Sequence, residues 1–244
     1  MKENIYDNEN FFEKYSRFPR SAEGLKAAGE WHELQKMLPD LDGKRMLDIG
    51  CGFGWHCGHA VEHNASYVVG TDISEKMLEK AKEKFSSPKI QFQCTPMEDL
   101  EFEPDSFDVV LSSLALHYTP DFGLICEKIN QYLTTGGDFI FSVEHPVFTA
   151  FGTQDWIYNS DNNPKYWPVD NYFTEGERNA VFLGENVVKY HKTLTTYLNT
   201  LLEHGFVITK IVEPKPADHL LKTVPEMKNE LRRPMMLLVS SKKI

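Results

Sequence analysis

Asp48, Gly50, Gly52, Gly54 and Asp72 are the residues of this 244-residue chain whose types and spacing most clearly suggest chemistry. The turn Gly50-Cys51-Gly52-Phe53-Gly54 follows the apolar run Arg45-Met-Leu-Asp-Ile49, and a second run, Tyr67-Val-Val-Gly-Thr71, ends on Asp72. Glycine leaves no Cβ between backbone and ligand, so such a turn lets the chain come close to a bound molecule. An acid about 20 residues beyond the turn, at the end of the second strand, is placed for the hydroxyls of a ribose. Its two oxygens can accept from both. Three histidines are candidate catalytic bases: His117 beyond a later apolar run, His145 after Glu144, and His191 beside Tyr190. Imidazole, with a pKa of about 6.5, suits proton removal at neutral pH.

Two nucleoside-bearing ligands compete for the turn. A dinucleotide site wants G-x-G-x-x-G with a pyrophosphate on the helix N-terminus. Here the third glycine comes one residue early, at Gly54, and position 55 is Trp55. Asp48, two residues before Gly50, would repel a pyrophosphate but attract an ammonium. S-adenosylmethionine has an ammonium, a sulfonium and no phosphate. The two acids therefore favour it over NAD.

The segment Leu47-Asp48-Ile49-Gly50-Cys51-Gly52-Phe53-Gly54 resembles the first motif of class I S-adenosylmethionine-dependent methyltransferases. Val69-Gly70-Thr71-Asp72-Ile73-Ser74, with Met77, resembles their second. Within the class the chain looks most like the small-molecule branch that includes ubiquinone and menaquinone biosynthesis enzymes. The likeness is good over residues 43–143 and holds in outline over 193–242. It implies a Rossmann-like α/β fold, with a seven-stranded, mostly parallel sheet, helices on both faces and an antiparallel last strand. It implies S-adenosyl-L-methionine as cofactor and S-adenosyl-L-homocysteine as product.

The expected cofactor contacts are Asp48, Gly50, Cys51, Gly52 and Gly54 in the turn, then Asp72, Ile73 and Met77. Met97, Glu98, Ser113 and Leu114 complete the set. The adenine end departs from the family. Relatives usually carry an acid and a small residue before the Glu-Asp-Leu stretch, where this chain has Pro96-Met97 before Glu98-Asp99-Leu100. Proline cannot accept from the adenine amino group by side chain, so a Met97 backbone group or the Glu98 carboxylate is the expected substitute.

The formal charge of −10, a pI near 5.4 and the absence of any long Lys/Arg run disfavour nucleic acid as a partner. The D/N-P-P-Y/F tetrad that DNA amino-methyltransferases place after the fourth strand is also absent. The N-terminus has no apolar signal core, and no apolar run reaches membrane-spanning length. Cys51, Cys57, Cys94 and Cys126 show neither disulfide nor C-x-x-C spacing. These features together point to the cytoplasm. Cys51, His56, Cys57, His59 and His63 crowd one stretch but fit no standard zinc motif, so no metal is expected.

Helical periodicity predicts a helix over about 22–38, and Ser74 and Asp121 are placed to cap later helices. Strands and helices then alternate to Val143, as a parallel sheet requires. The expected layout is one domain. Residues 1–42 form a helical cover, 43–143 the cofactor-binding core, 144–192 a lid rich in Trp, Tyr, Asn and Pro, and 193–244 complete the sheet. Tyr15 and Arg17 are placed to close over the cofactor, and the lid aromatics suggest an apolar or aromatic pocket.

The resulting expectation is methyl transfer to O, N or C of a small, partly apolar molecule by a monomer or homodimer. The alternatives are a tRNA or protein methyltransferase, or a non-catalytic protein that binds S-adenosylmethionine.

Overall fold

A computed structural model describes residues 4–244. Seven strands form the central sheet: β1 (Arg45–Ile49), β2 (Tyr67–Asp72), β3 (Ile90–Cys94), β4 (Phe107–Ser113), β5 (Leu133–Glu144), β10 (Phe206–Val212) and β11 (Met236–Lys243). Their order across the sheet is β10-β11-β5-β4-β1-β2-β3. All neighbouring pairs are parallel except those made by β11, which runs antiparallel to both β5 and β10. The inner strands are buried on both faces, which is why β1 and β4 read as unbroken apolar runs.

The chain order reverses between β1 and β4, which pair through Met46–Asp48 and Val109–Leu111. Ligands bind at the carboxyl ends of strands at such a reversal. Three helices leave or cover this end: α4 (Trp55–Glu62), α5 (Glu75–Lys84) and α6 (Phe122–Tyr132). Ser74 Oγ accepts from Met77 N at 3.1 Å and Asp121 Oδ1 from Leu124 N at 2.9 Å, so both predicted caps form. After the lid, α8 (Leu194–Glu203) is capped by Thr193 and stopped by Gly205 at φ 78°.

One expectation is corrected. The helix predicted over 22–38 is broken into short pieces, among them α2 (Pro19–Ala22) and α3 (Trp31–Leu34), behind α1 (Glu9–Ser16). Gly24 adopts φ 72° and lies against the Trp55 ring, so the helix cannot run through it. Strand β5 begins at Leu133, and Gly136 (φ 78°) marks an irregularity within it.

The 144–192 segment carries regular structure of its own. After the short helix α7 (Pro146–Thr149), it holds two antiparallel pairs: β6 (Ile157–Tyr158) with β7 (Pro164–Tyr166), and β8 (Gly176–Phe182) with β9 (Glu185–His191). Two further helices, α9 (Asp218–Thr223) and α10 (Met227–Glu230), sit between β10 and β11. No helix among the described residues is long and apolar enough to cross a membrane.

The lid is held to the segment just after α10 by cations over rings. The Arg233 guanidinium lies 4.0 Å from the Trp167 ring centroid and 4.6 Å from that of Phe148, and Arg232 lies 4.5 Å from that of Trp156. Arg232 also donates to the carbonyls of Pro164 and Lys165 at 2.9 and 2.6 Å. A desolvated cation–π contact contributes about 2 kcal/mol. The Arg233→Ala variant is therefore expected to lower the melting temperature by several degrees and to expose the 144–192 segment to protease first.

Candidate functional site

A cavity of about 900 Å³ opens at the switch point. Its floor is the glycine turn. Gly50, at φ 72°, sits so close to Ala115 that a Cβ would fall 2.3 Å from the Ala115 Cβ. Gly52, at φ 53°, faces open space that a side chain would fill. Asp72 lines the cavity with both oxygens anchored: Oδ2 accepts from Gly52 N and Oδ1 from Ser74 N, each at 2.9 Å. Each oxygen keeps a second lone pair for a ligand hydroxyl. Burial raises the Asp72 pKa against these two hydrogen bonds.

Ile73, Met77, Met97, Glu98, Ser113 and Leu114 also line the cavity, as does Pro96. Leu114 holds φ 55°, with its N–H donated to Ser142 O at 2.9 Å and Ser142 Oγ at 3.1 Å. A leucine in this backbone region costs free energy and is held there by its surroundings.

Several expected contacts do not reach the cavity. Asp48 lies beneath the turn, fully buried, where Oδ2 accepts from Cys57 Sγ at 3.4 Å and Oδ1 has no hydrogen-bond partner. Burial pushes its pKa up to about 7. Cys51 turns inward beside Cys57 and the bare Cα of Gly70. Gly54 opens α4 at φ 73° and packs on Phe92, where a Cβ would come within 2.9 Å of the ring. The first and last of these positions shape the turn from behind.

The three candidate bases separate in the same way. His145 does not line the cavity: its Nδ1 accepts from Val147 N at 3.0 Å to cap α7, and its Nε2 lies 2.8 Å from Glu213. His191 is buried with both nitrogens engaged, Nδ1 to Thr149 Oγ1 at 2.7 Å and Nε2 to Tyr172 O at 2.8 Å. Neither has a free nitrogen directed at the cavity.

His117 does line it. Burial pushes its pKa down to about 4, so the ring is neutral at physiological pH. Its Nδ1 accepts from Glu144 N at 3.4 Å, which assigns the remaining proton to Nε2. In this tautomer His117 Nε2 carries the proton and can donate into the cavity.

Arg20 was not anticipated; the sequence had pointed to Arg17, which lies exposed against Glu13. Arg20 lines the cavity, pairs with the fully buried Glu30, and donates from Nη2 to Ser113 Oγ at 2.8 Å. Ser113 Oγ in turn lies 3.0 Å from Ser142 Oγ. The N-terminal segment is locked on from the other side. Asp7 Oδ1 accepts from Ser74 Oγ at 2.5 Å, and the Tyr6 and Tyr118 hydroxyls lie 2.9 Å apart.

Residues 47–141 match the family description "Methyltransferase domain". A solved structure from Mesorhizobium loti, an S-adenosylmethionine-dependent methyltransferase, is 43% identical, superposes with a TM-score of 0.84, and matches over 90% of this chain and 100% of its own. A Listeria monocytogenes protein provisionally given the same description is 57% identical at a TM-score of 0.86, over 91% of this chain and 99% of that one. The chain belongs to the class I S-adenosylmethionine-dependent methyltransferases. Its similarity to a ubiquinone biosynthesis O-methyltransferase of Neisseria meningitidis is 36% over 137 residues, covering 48% of this chain and 58% of that one.

The methyltransferase cavity fits the cofactor by its own geometry. Gly52 leaves open the space that a side chain would take, and the anchored Asp72 keeps free lone pairs. Ile73, Met77 and Met97 add an apolar wall beside it. Among the described residues no cluster of His, Cys, Asp and Glu could hold a metal ion.

Proposed function

We propose that this methyltransferase acts on a small, partly apolar molecule held beside the cofactor. The observation that carries the proposal is the size and lining of the cavity. Besides Asp72, Leu114 and His117 it is lined by the apolar side chains of Phe148, Phe182, Leu220, Val224, Met227 and Met236. Pockets for a single drug-sized ligand span about 300–1,000 Å³. A cavity of about 900 Å³ at the top of that range has room for a second molecule beside the cofactor.

The cofactor supplies a methyl group already activated on sulfonium. The protein's work is then largely alignment and exclusion of water. In this reading Asp72 accepts the ribose hydroxyls, and Ile73, Met77 and Met97 pack on the adenine. Pro96 leaves adenine recognition to backbone groups or to Glu98. Arg20 faces the carboxylate of the methionyl end, with its guanidinium fixed by Glu30 and Ser113. The apolar part of the cavity takes the acceptor, and its enclosure by α9, α10 and the lid favours a small molecule over tRNA or protein.

Calorimetric titration with S-adenosylhomocysteine, S-adenosylmethionine and NADH tests the base of this reading, and binding of NADH alone would overturn it. A second experiment tests the Arg20 role. The double variant Arg20→Leu/Glu30→Gln removes both charges, so no carboxylate stays buried without its partner. It is expected to weaken S-adenosylhomocysteine about tenfold or more, the worth of a hydrogen bond to a charged group. Methylthioadenosine lacks the amino-acid end, and its affinity should not change. Equal losses for both ligands would remove the carboxylate role.

A further inference from the structure

The cavity is also lined by a buried ion pair to which the cofactor reading above gives no role. Glu144, at the end of β5, accepts from Lys189 Nζ of β9 at 2.5 Å and from Gln154 Nε2 of the lid at 2.6 Å. Lys189 also donates to Gln154 Oε1 at 3.0 Å, which closes the ring of contacts. The two charged side chains are 16% and 4% exposed, and all three residues line the cavity. Burying such a pair stabilises a fold no better than well-packed apolar side chains do. In a cavity that Phe148, Phe182, Leu220, Val224, Met227 and Met236 also line, stability does not explain it.

We propose, building on the reading above, that the acceptor is an uncharged apolar molecule bearing a hydroxyl, and that Glu144 receives its proton. The charge pattern selects this class. A cationic amine would meet Lys189, and a carboxylate or phosphate would meet Glu144. Of the other acids that line the cavity, Asp72 and Glu98 belong to the cofactor reading, Glu23 comes from the N-terminal cover, and Glu230 is already paired with Arg233 at 2.5 Å. A hydroxyl satisfies both partners. It can donate to a remaining lone pair of Glu144 and accept from the third N–H of Lys189 or from His117 Nε2.

Burial would raise the Glu144 pKa, but the Lys189 ammonium, with smaller help from His117 and Gln154, outweighs it and holds the carboxylate ionised. In the transfer, the hydroxyl oxygen bonds the methyl carbon as that carbon's bond to sulfur breaks. The bonding pair stays on sulfur, and the hydroxyl proton passes to Glu144. Lys189 faces the charge that builds on the oxygen before the bond is complete.

Four probes sharing a naphthalene ring system test this, each titrated calorimetrically into protein saturated with S-adenosylhomocysteine. They are naphthol, methoxynaphthalene, naphthylmethylammonium and naphthoate. Naphthol is expected to bind about tenfold or more tighter than the other three, the scale of a hydrogen bond to a charged group. In the Glu144→Gln variant the preference should move to naphthoate, because Lys189 is left unpaired. In Lys189→Met it should move to naphthylmethylammonium. A merely structural pair would not invert the ranking by charge.

Saturation by S-adenosylhomocysteine serves as the folding control. If either single variant fails it, Glu144→Gln/Lys189→Met decides, and it should bind naphthol and methoxynaphthalene alike. Binding of no probe by the wild type, equal binding of ions and naphthol, or a ranking untouched in the variants would overturn the proposal. Failure of the wild type to bind S-adenosylhomocysteine would instead sink the cofactor reading, and this proposal with it.

Discussion

Replacing Asp72 by alanine is expected to lower the affinity for S-adenosylhomocysteine by at least about a hundredfold. A hydrogen bond to a charged group contributes about 1.5–3 kcal/mol, and in the proposed site this carboxylate makes two to the ribose. It also ties the turn to the next helix, since Gly52 N and Ser74 N both donate to it at 2.9 Å. Asp72→Asn separates the two contributions. Its amide can still meet two hydroxyls, but its NH₂ must face one of those backbone donors, so an intermediate loss is expected. Calorimetry gives the affinities, and circular dichroism confirms that each variant is folded. An Asp72→Ala protein that is folded and keeps its affinity within a few-fold would end the ribose assignment.

The part of the site on β1, the turn and β2 was legible because local chemistry dictates it. Strands buried on both faces read as apolar runs, and only glycine readily supplies φ 72° at Gly50 next to Ala115. What the sequence could not give is direction. Gly54 sits in the same motif as Gly50, yet it packs on Phe92 behind the turn. His117, His145 and His191 each follow a strand end or a lid exit, and only tertiary partners decide which ring faces the ligand.

The hairpin of β8 and β9 was hidden for a related reason. Its inward positions include Lys189 and His191, both buried, so the apolar alternation that marks a half-buried strand is missing. Those polar residues are inward because Glu144 and Thr149 wait for them, which no local window contains. Arg20 escaped notice on the same ground. Glu30, its partner, is ten residues away across the break that Gly24 makes in the expected helix, and Ser113 is at the end of β4.

Asp48→Asn should gain stability relative to wild type as pH rises from about 4 to 7 while leaving the affinity for S-adenosylhomocysteine within a few-fold of wild type. The carboxyl is buried and holds its proton up to about pH 7, whereas in the unfolded chain it ionises near pH 4. Between these values the unfolded state binds fewer protons than the folded one. Stability therefore falls as pH rises from about 4 to 7, and the whole penalty stands above 7. A carboxyl moved from 3.8 to about 7 corresponds to a penalty of about 4 kcal/mol as an upper bound.

Asparagine cannot ionise, so this dependence disappears. It can still accept from Cys57, but its NH₂ takes the place of the partnerless Oδ1 and costs about 1–3 kcal/mol at every pH. The informative quantity is thus the melting-temperature difference between variant and wild type, followed from pH 4 to 8. Half of the 4 kcal/mol alone would raise that difference by about 4–8 °C across the range for a domain of this size. A flat difference would mean that Asp48 is ionised in the folded protein. A tenfold loss of S-adenosylhomocysteine affinity in a stably folded variant would mean that the cofactor's ammonium senses this charge through the glycine turn, as the sequence first suggested.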